Sequence, residues 1–167
     1  SASTMNNPDV VQRLLDCDAE LADVQAIITN LGSTNPVVPY LTKYAVVRAC
    51  GSIETSFKAV IADHCSHRGT TQIKRFIDLR IRNGSANPTI ENMNKFLSDF
   101  DPLWSSAFKS QLNAEPNKTV LTTSLASLVN ARNEFAHGGN PTTSLADVVQ
   151  YFIHAKRIVE IMDAVVL

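Results

Sequence analysis

The sequence has no hydrophobic run near the ~18 consecutive apolar residues that a membrane-spanning helix needs. It also has no secretory hydrophobic region near its start. A cytoplasmic protein without membrane contact is therefore the expectation. Cysteine is scarce: Cys17, Cys50 and Cys65 are an odd number with no close pairing pattern. That excludes a disulfide framework and points to buried or free thiols in a reducing compartment. Charge of one sign is lacking as well. Lys and Arg number 15 against 16 Asp and Glu, the net charge is -1 and the pI is about 6.4. Global electrostatics thus neither select nor exclude a nucleic acid, and a binder of this composition would need a local basic patch. Internal repeats, low-complexity tracts and sustained period-two alternation are missing too, which removes repeat and β architectures.

A complete metal motif is also missing. His64, Cys65 and His67 stand close together, but a zinc site wants four ligands, usually as two spaced pairs. Only Cys17 or Cys50 could add sulfur, and neither has a recognisable spacing. These residues read as incidental to a helix end, and no metal is expected.

What is present suits one helical domain over 1–167. At 167 residues, with 44% apolar and 19% charged side chains, the chain can bury a core without staples. Residues 1–7, "SASTMNN", are small and polar and are read as disordered or foreign to the fold. Helix patterns follow, separated by short breakers. Asn7–Gly32 opens with a cap and a proline in the first turn and carries apolar residues at spacings of three and four. Residues 33–39 are a linker. Tyr40–His67 is the most apolar helix and is expected to be central, touched on several sides. Its Arg48 and Glu54 need partners, because lone buried charges are costly. They are six residues apart and do not face each other, so each is expected to pair elsewhere.

Thr70–Gly84 is shorter, with Ile73, Phe76, Ile77 and Leu79 as an apolar face and Lys74, Arg75, Arg80 and Arg82 as a basic one. In residues 87–113, Thr89 and Asn92 suit a helix start, and Asp101-Pro102 marks a break and restart. Asn117–Gly139 places Leu121, Leu125, Leu128, Val129 and Phe135 on one stripe. The last helix, 144–166, starts with Ser144 as cap and Asp147 three residues later, a variant of the capping box. The chain therefore reads as all-α: four long helices and two or three short ones.

One segment carries chemistry: "RNEFAHGG", 132–139. Asn133 and His137 are four apart and share a helix face. Arg132 and His137 are five apart, roughly 140° around the axis and ~7.5 Å along it. A long arginine side chain can cover that separation, so all three can converge on one small polar object. Arg132 also continues the apolar stripe, so its guanidinium needs an anionic or carbonyl partner. Gly138 suits the C′ position. His137 then lies in the negative field of the helix end, where an imidazole suits acid–base work. Arginine and asparagine are the groups that hold a phosphate and steady its developing charge.

Arg132-Asn133-Glu134-Phe135-Ala136-His137 resembles the Arg-x(4–6)-His signature of the HEPN superfamily, with the favoured polar residue directly after the arginine. The resemblance covers most of the chain in helix order. It implies a HEPN-like helical bundle of four long helices with two or three short inserted helices. It also implies a homodimer whose two motifs form one composite active site, and RNA as substrate. The implied activity is that of a metal-independent endoribonuclease, a hydrolase without cofactor. The 2′-hydroxyl attacks the adjacent phosphate, leaving 2′,3′-cyclic phosphate and 5′-hydroxyl ends. Arg132, Asn133 and His137 would be catalytic: His137 as acid or base, Arg132 on the phosphate, Asn133 orienting its neighbours. The biological settings implied are toxin–antitoxin pairs and antiviral defence, with an antitoxin or regulatory partner. Some toxin members carry a tyrosine two residues after the histidine. Gly139 stands there, which does not support tyrosine modification.

Glu54 and Arg48 are candidate supporting residues, Glu54 by facing the motif helix and holding Arg132. The bland reading of both is an ion pair that holds the bundle. Lys74, Arg75, Arg80 and Arg82, with Arg68, could form a track for RNA phosphates or simply a solvated face. Trp104 and Phe108 could stack bases, though their spacing suits the core better. His154 reads as structural or exposed. Two other classes stay open: a non-catalytic HEPN module that binds a partner protein, RNA or nucleotide, and an unrelated helical bundle in which the motif is accidental.

Overall fold

A computed structural model describes residues 5–167, and every regular element among them is helical. In order these are α1 (Pro8–Leu31), α2 (Val38–Ser66), α3 (Thr71–Ile77) running on into a π-helical turn (Asp78–Arg82), α4 (Ile90–Phe100), α5 (Pro102–Ala114), α6 (Lys118–Ala136) and α7 (Leu145–Val165). The four long helices are α1, α2, α6 and α7, and three short ones are inserted between α2 and α6. The expected all-α bundle is the observed one.

The boundaries follow local chemistry. The Asn7 side chain accepts from the Asp9 and Val10 amides, and Thr70, Thr89 and Asp101 cap α3, α4 and α5 in the same way. Asp101 also ends α4, because Pro102 cannot extend that helix but suits the first turn of the next. Ser144 and Asp147 form the reciprocal capping box. Helix α2 starts at Val38, two residues before the expected Tyr40, since Pro39 fits the first helical turn.

Helix α2 is the central element and packs against α1, α6 and α7. Ala45, Ala49, Ser52, Ser56 and Ala59 are buried along it, and their small side chains let the neighbouring helices approach closely. Phe57, Phe108, Phe152, Leu128, Ile158 and Met162 are among the large side chains that fill the core with essentially no exposure. At such positions truncation to alanine costs about 2–5 kcal/mol. Phe108 is therefore core. Cys17 and Cys50 are buried free thiols pushed up to about 11 by burial, and Cys65 is half-buried.

Polar links tie the helices together. Arg48 of α2 donates both arms of its fork to Glu20 of α1, at 2.8 and 2.9 Å, and Tyr44 adds its hydroxyl to the same carboxylate. Ser124 on α6 bonds Nδ1 of His154 on α7 at 2.8 Å, so His154 is structural. Lys156 of α7 reaches Asp18 of α1.

Two expectations change. The expected apolar face of the third helix does not enter the core as a unit. Ile77 is buried there together with Ile81, but Ile73, Phe76 and Leu79 are about half exposed. A helix of seven residues followed by a wider π turn cannot keep one stripe aimed at α2. At the N-terminus, Asn6 and Asn7 belong to the fold. The Asn6 amide donates to the buried Asp163, and the Asn7 side chain donates to Asp63 at 2.8 Å. The expectation of disorder for residues 1–4 lies outside the described residues.

Candidate functional site

The motif residues ride on the last turns of α6. Three core side chains, Leu125, Leu128 and Val129, fasten the preceding turns to α2 and α7. Arg132 follows on the edge of that stripe and is half-buried. Its Nη1 donates to Oδ1 of Asn87 at 2.6 Å and to Oδ1 of Asn133 at 3.3 Å. Both acceptors are neutral amides, so the expected carbonyl partner is present. Among the described residues Arg132 enters no ion pair. A cation held by dipoles alone keeps its full charge for an incoming anion.

Asn87 belongs to the segment 83–89 between the π turn and α4, and that segment is fastened at several points. Asn92 donates its side-chain amide to the Asn87 carbonyl at 2.8 Å, and the Thr89 amide donates to the same oxygen. Glu54 of α2 accepts from the Ala86 amide at 3.2 Å. Lys58, one turn later and almost fully buried, pairs with Glu54 at 2.7 Å and donates to the Gly84 carbonyl. At Gly84 a Cβ would lie 2.7 Å from the Arg80 carbonyl oxygen, so only glycine lets the chain turn back so tightly after the π segment.

Glu54 is therefore linked to Arg132 only through the loop, by way of Ala86 and Asn87, and not by direct contact. Both charges act on Cys50, whose thiol is raised mainly by burial, lowered by Arg132 and raised by Glu54. Arg48 is elsewhere, on the α1 side of α2, bound to Glu20. Both α2 charges do pair separately, as their spacing implied.

His137 is the C-cap of α6. Gly138 follows with φ of 80°, a left-handed conformation that side-chain-bearing residues seldom adopt. The Gly138 amide donates to the Phe135 carbonyl and the Gly139 amide to the Glu134 carbonyl at 2.8 Å, the bond pair of a Schellman ending. A Cβ on Gly139 would come within 3.0 Å of that Glu134 oxygen. The two glycines are thus fully accounted for by helix termination. They leave the His137 side chain exposed, with no hydrogen bond among the described residues. Arg132 and Asn133 are joined through their side chains, while the His137 side chain on the same helix end bonds neither.

The other candidates divide. Lys74, Arg75 and Arg80 are exposed, but Arg82 is committed to Asp63 at 2.6 Å and Asp78 at 3.0 Å. Trp104 is half-buried edge-on against His64 with ring centroids 5.4 Å apart, so it lies across α2–α5 and not in the basic strip. Among the described residues no group of three or more His, Cys, Asp or Glu is placed to hold a metal ion, and no helix is long and apolar enough to cross a membrane.

Sequence reasoning missed Asn87, Lys58 and Lys43. Asn87-Pro88 was legible only as the lead-in to a helix. Lys58 looked like one of the sparse charges of α2, although its i,i+4 spacing from Glu54 was an available signal. Lys43 lies over the Phe135 ring at 5.4 Å and the Tyr40 ring at 5.8 Å, a contact between helices 92 positions apart in number that no local pattern announces.

The sequence model of a family described as RiboL-PSP-HEPN matches residues 12–167, which includes the motif and all the helices from α2 onward. No curated protein and no solved structure matches the chain.

Proposed function

This chain belongs to the RiboL-PSP-HEPN family, and from that premise we propose that it is a HEPN endoribonuclease acting as a homodimer. The observation that carries the reading is Arg132: a half-buried guanidinium oriented by Asn87 and Asn133, with no carboxylate to neutralise it. Such a group is prepared for a phosphate.

In the proposed reaction the ribose 2′-oxygen attacks phosphorus. Its proton passes to a base, the P–O5′ bond breaks, and the departing O5′ takes a proton from an acid. The products are a 2′,3′-cyclic phosphate and a 5′-hydroxyl. Arg132 balances the charge gathering on the phosphate oxygens, and Asn133 holds the guanidinium. His137 moves a proton, and its counterpart in the second copy supplies the complementary transfer. The exposure of His137 fits a group that completes its surroundings at an interface. An exposed stripe on α2 supports such an interface: Tyr44 and Val47 are 50% and 54% exposed. Lys74, Arg75 and Arg80 are the proposed RNA track. Toxin–antitoxin or antiviral defence, a cytoplasmic location and an antitoxin partner belong to the same proposal.

A specific observation favours a second reading. The His137 side chain makes no hydrogen bond to Arg132 or Asn133, which suits a non-catalytic module that binds RNA, nucleotide or a partner protein through Arg132. RNA incubated with the protein in EDTA separates the two. The enzyme reading expects fragments with cyclic phosphate ends, lost in Arg132→Ala and in His137→Ala while circular dichroism stays unchanged. Intact RNA from a folded dimer overturns it.

A further inference from the structure

Beside the motif lies a cleft of about 670 Å³, within the size range of small-molecule sites. Its walls are the α1–α2 loop, the first turns of α2, Phe135 and the α6–α7 loop from Asn140 to Thr143. The His137–Gly139 ending connects Phe135 to Asn140, so one continuous segment carries the motif and forms a wall. No Asp or Glu lines the cleft, and Lys43 is its one charged residue. Lys43 has no carboxylate partner among the described residues. It is steadied by the faces of Tyr40 and Phe135 instead. An ammonium held over two rings keeps donors free for an anion. Tyr40 presents an exposed ring beside that cation. The Asn35 side chain uses its oxygen on the Val37 amide, which leaves its NH₂ free, and Asn140 is exposed on the opposite wall.

We propose that this cleft is a nucleotide subsite: Tyr40 stacks on a base, Lys43 binds the adjoining phosphate, and the Asn35 and Asn140 amides read the base edge. A cation, a free aromatic face and amide groups, with no acid present, match the three parts of a nucleotide. A carboxylate or inorganic anion would leave the ring idle. Its role as the seat of the base flanking the scissile bond rests on the ribonuclease reading, but nucleotide binding itself does not.

The test is a titration of the full chain with adenosine 3′-monophosphate, cytidine 3′-monophosphate and inorganic phosphate, followed by backbone amide NMR. Nucleotides are expected to shift the amides of Lys43, Thr142 and Thr143 and to bind about tenfold more tightly than phosphate. Lys43→Ala and Tyr40→Ala should each weaken that binding about tenfold or more, and Lys43→Arg should retain it. Shifts confined to other regions, phosphate binding as tightly as nucleotide, or an unaffected Tyr40→Ala would each overturn the subsite. Binding that persists while RNA stays intact removes the ribonuclease reading and leaves the subsite standing. RNA cleavage with an unaltered KM in Tyr40→Ala removes the subsite and leaves the ribonuclease.

Discussion

Arg132 and Asn87, 45 positions apart, meet across a 2.6 Å hydrogen bond that joins the end of α6 to the loop before α4. The bond is charged on one side and neutral on the other, which separates orienting the guanidinium from cancelling it. Asn87→Ala should release the guanidinium. RNA cleavage is then expected to fall about tenfold or more, in line with loss of a hydrogen bond to a charged group, while the melting temperature moves little. Asn87→Asp should do worse in RNA binding than Asn87→Ala, because a carboxylate at that distance occupies Arg132 as an ion pair. A filter-binding comparison decides it, and equal losses in the two variants would count against the argument.

The loop that carries Asn87 hangs on the Glu54–Lys58 pair, whose side chains are 17% and 7% exposed. Removing one partner strands the other in a poorly hydrated place. Lys58→Met is expected to cost about 3 kcal/mol in urea unfolding. The double change Glu54→Leu/Lys58→Met should recover part of that loss. A double variant worse than the sum of the single ones would contradict the pairing.

At Gly138 the strain is one of backbone alone, since a Cβ there meets nothing within 4 Å. Gly138→Ala should therefore destabilise by about 1–2 kcal/mol, and Gly138→Asn by less, because asparagine tolerates the left-handed region. Thermal melts of the three proteins give the order, and an unchanged melting temperature in Gly138→Ala would mean that α6 ends differently.

Two carboxylates make opposite pH predictions. Burial raises the carboxyl of Asp163, which is 4% exposed, against the lowering effect of the Asn6 and Asn7 amides. The folded state then holds the proton more tightly than the unfolded chain. Its contribution to stability is present at low pH and is lost as pH rises through the raised value. The Ser144 amide and hydroxyl lower Asp147. That contribution is present above the unfolded value and is lost as pH falls through the lowered one. Melting temperatures from roughly pH 2.5 to 7 should show Asp163→Asn flattening the upper part of the profile and Asp147→Asn the acid limb.

Val47 is half exposed on α2, one turn before Cys50 and one turn after Lys43. A charge there should repel a second copy. Val47→Asp is expected to shift sedimentation from dimer to monomer and to abolish RNA cleavage while the helical content is kept. A cleaving monomer would remove the composite site.

Local chemistry made much of this protein readable. Asn7, Thr89, Asp101, Ser144 and Gly138 act through residues a few positions away, so the helix ends could be placed from the chain alone. The stripes of α6 and α7 pointed to their buried faces for the same reason. Helix α3 was misread because Ile73, Phe76 and Leu79 share a pattern that a seven-residue helix followed by a π turn cannot present to one neighbour. The Arg132–His137 spacing identified the segment but not its arrangement. Spacing measures reach, and the Schellman ending decides where the imidazole goes.

By itself, then, the sequence determined an all-helical bundle, its punctuation and the position of one charged motif near a helix end. These depend on periodicity and capping, whose range is about one helical turn. Only the tertiary structure decided that Arg132 meets Asn87, that Glu54 acts through Ala86, that Arg48 belongs to Glu20 and that Lys43 rests on Phe135. Each of those contacts joins segments distant in the chain, and their partners are chosen by how the helices pack.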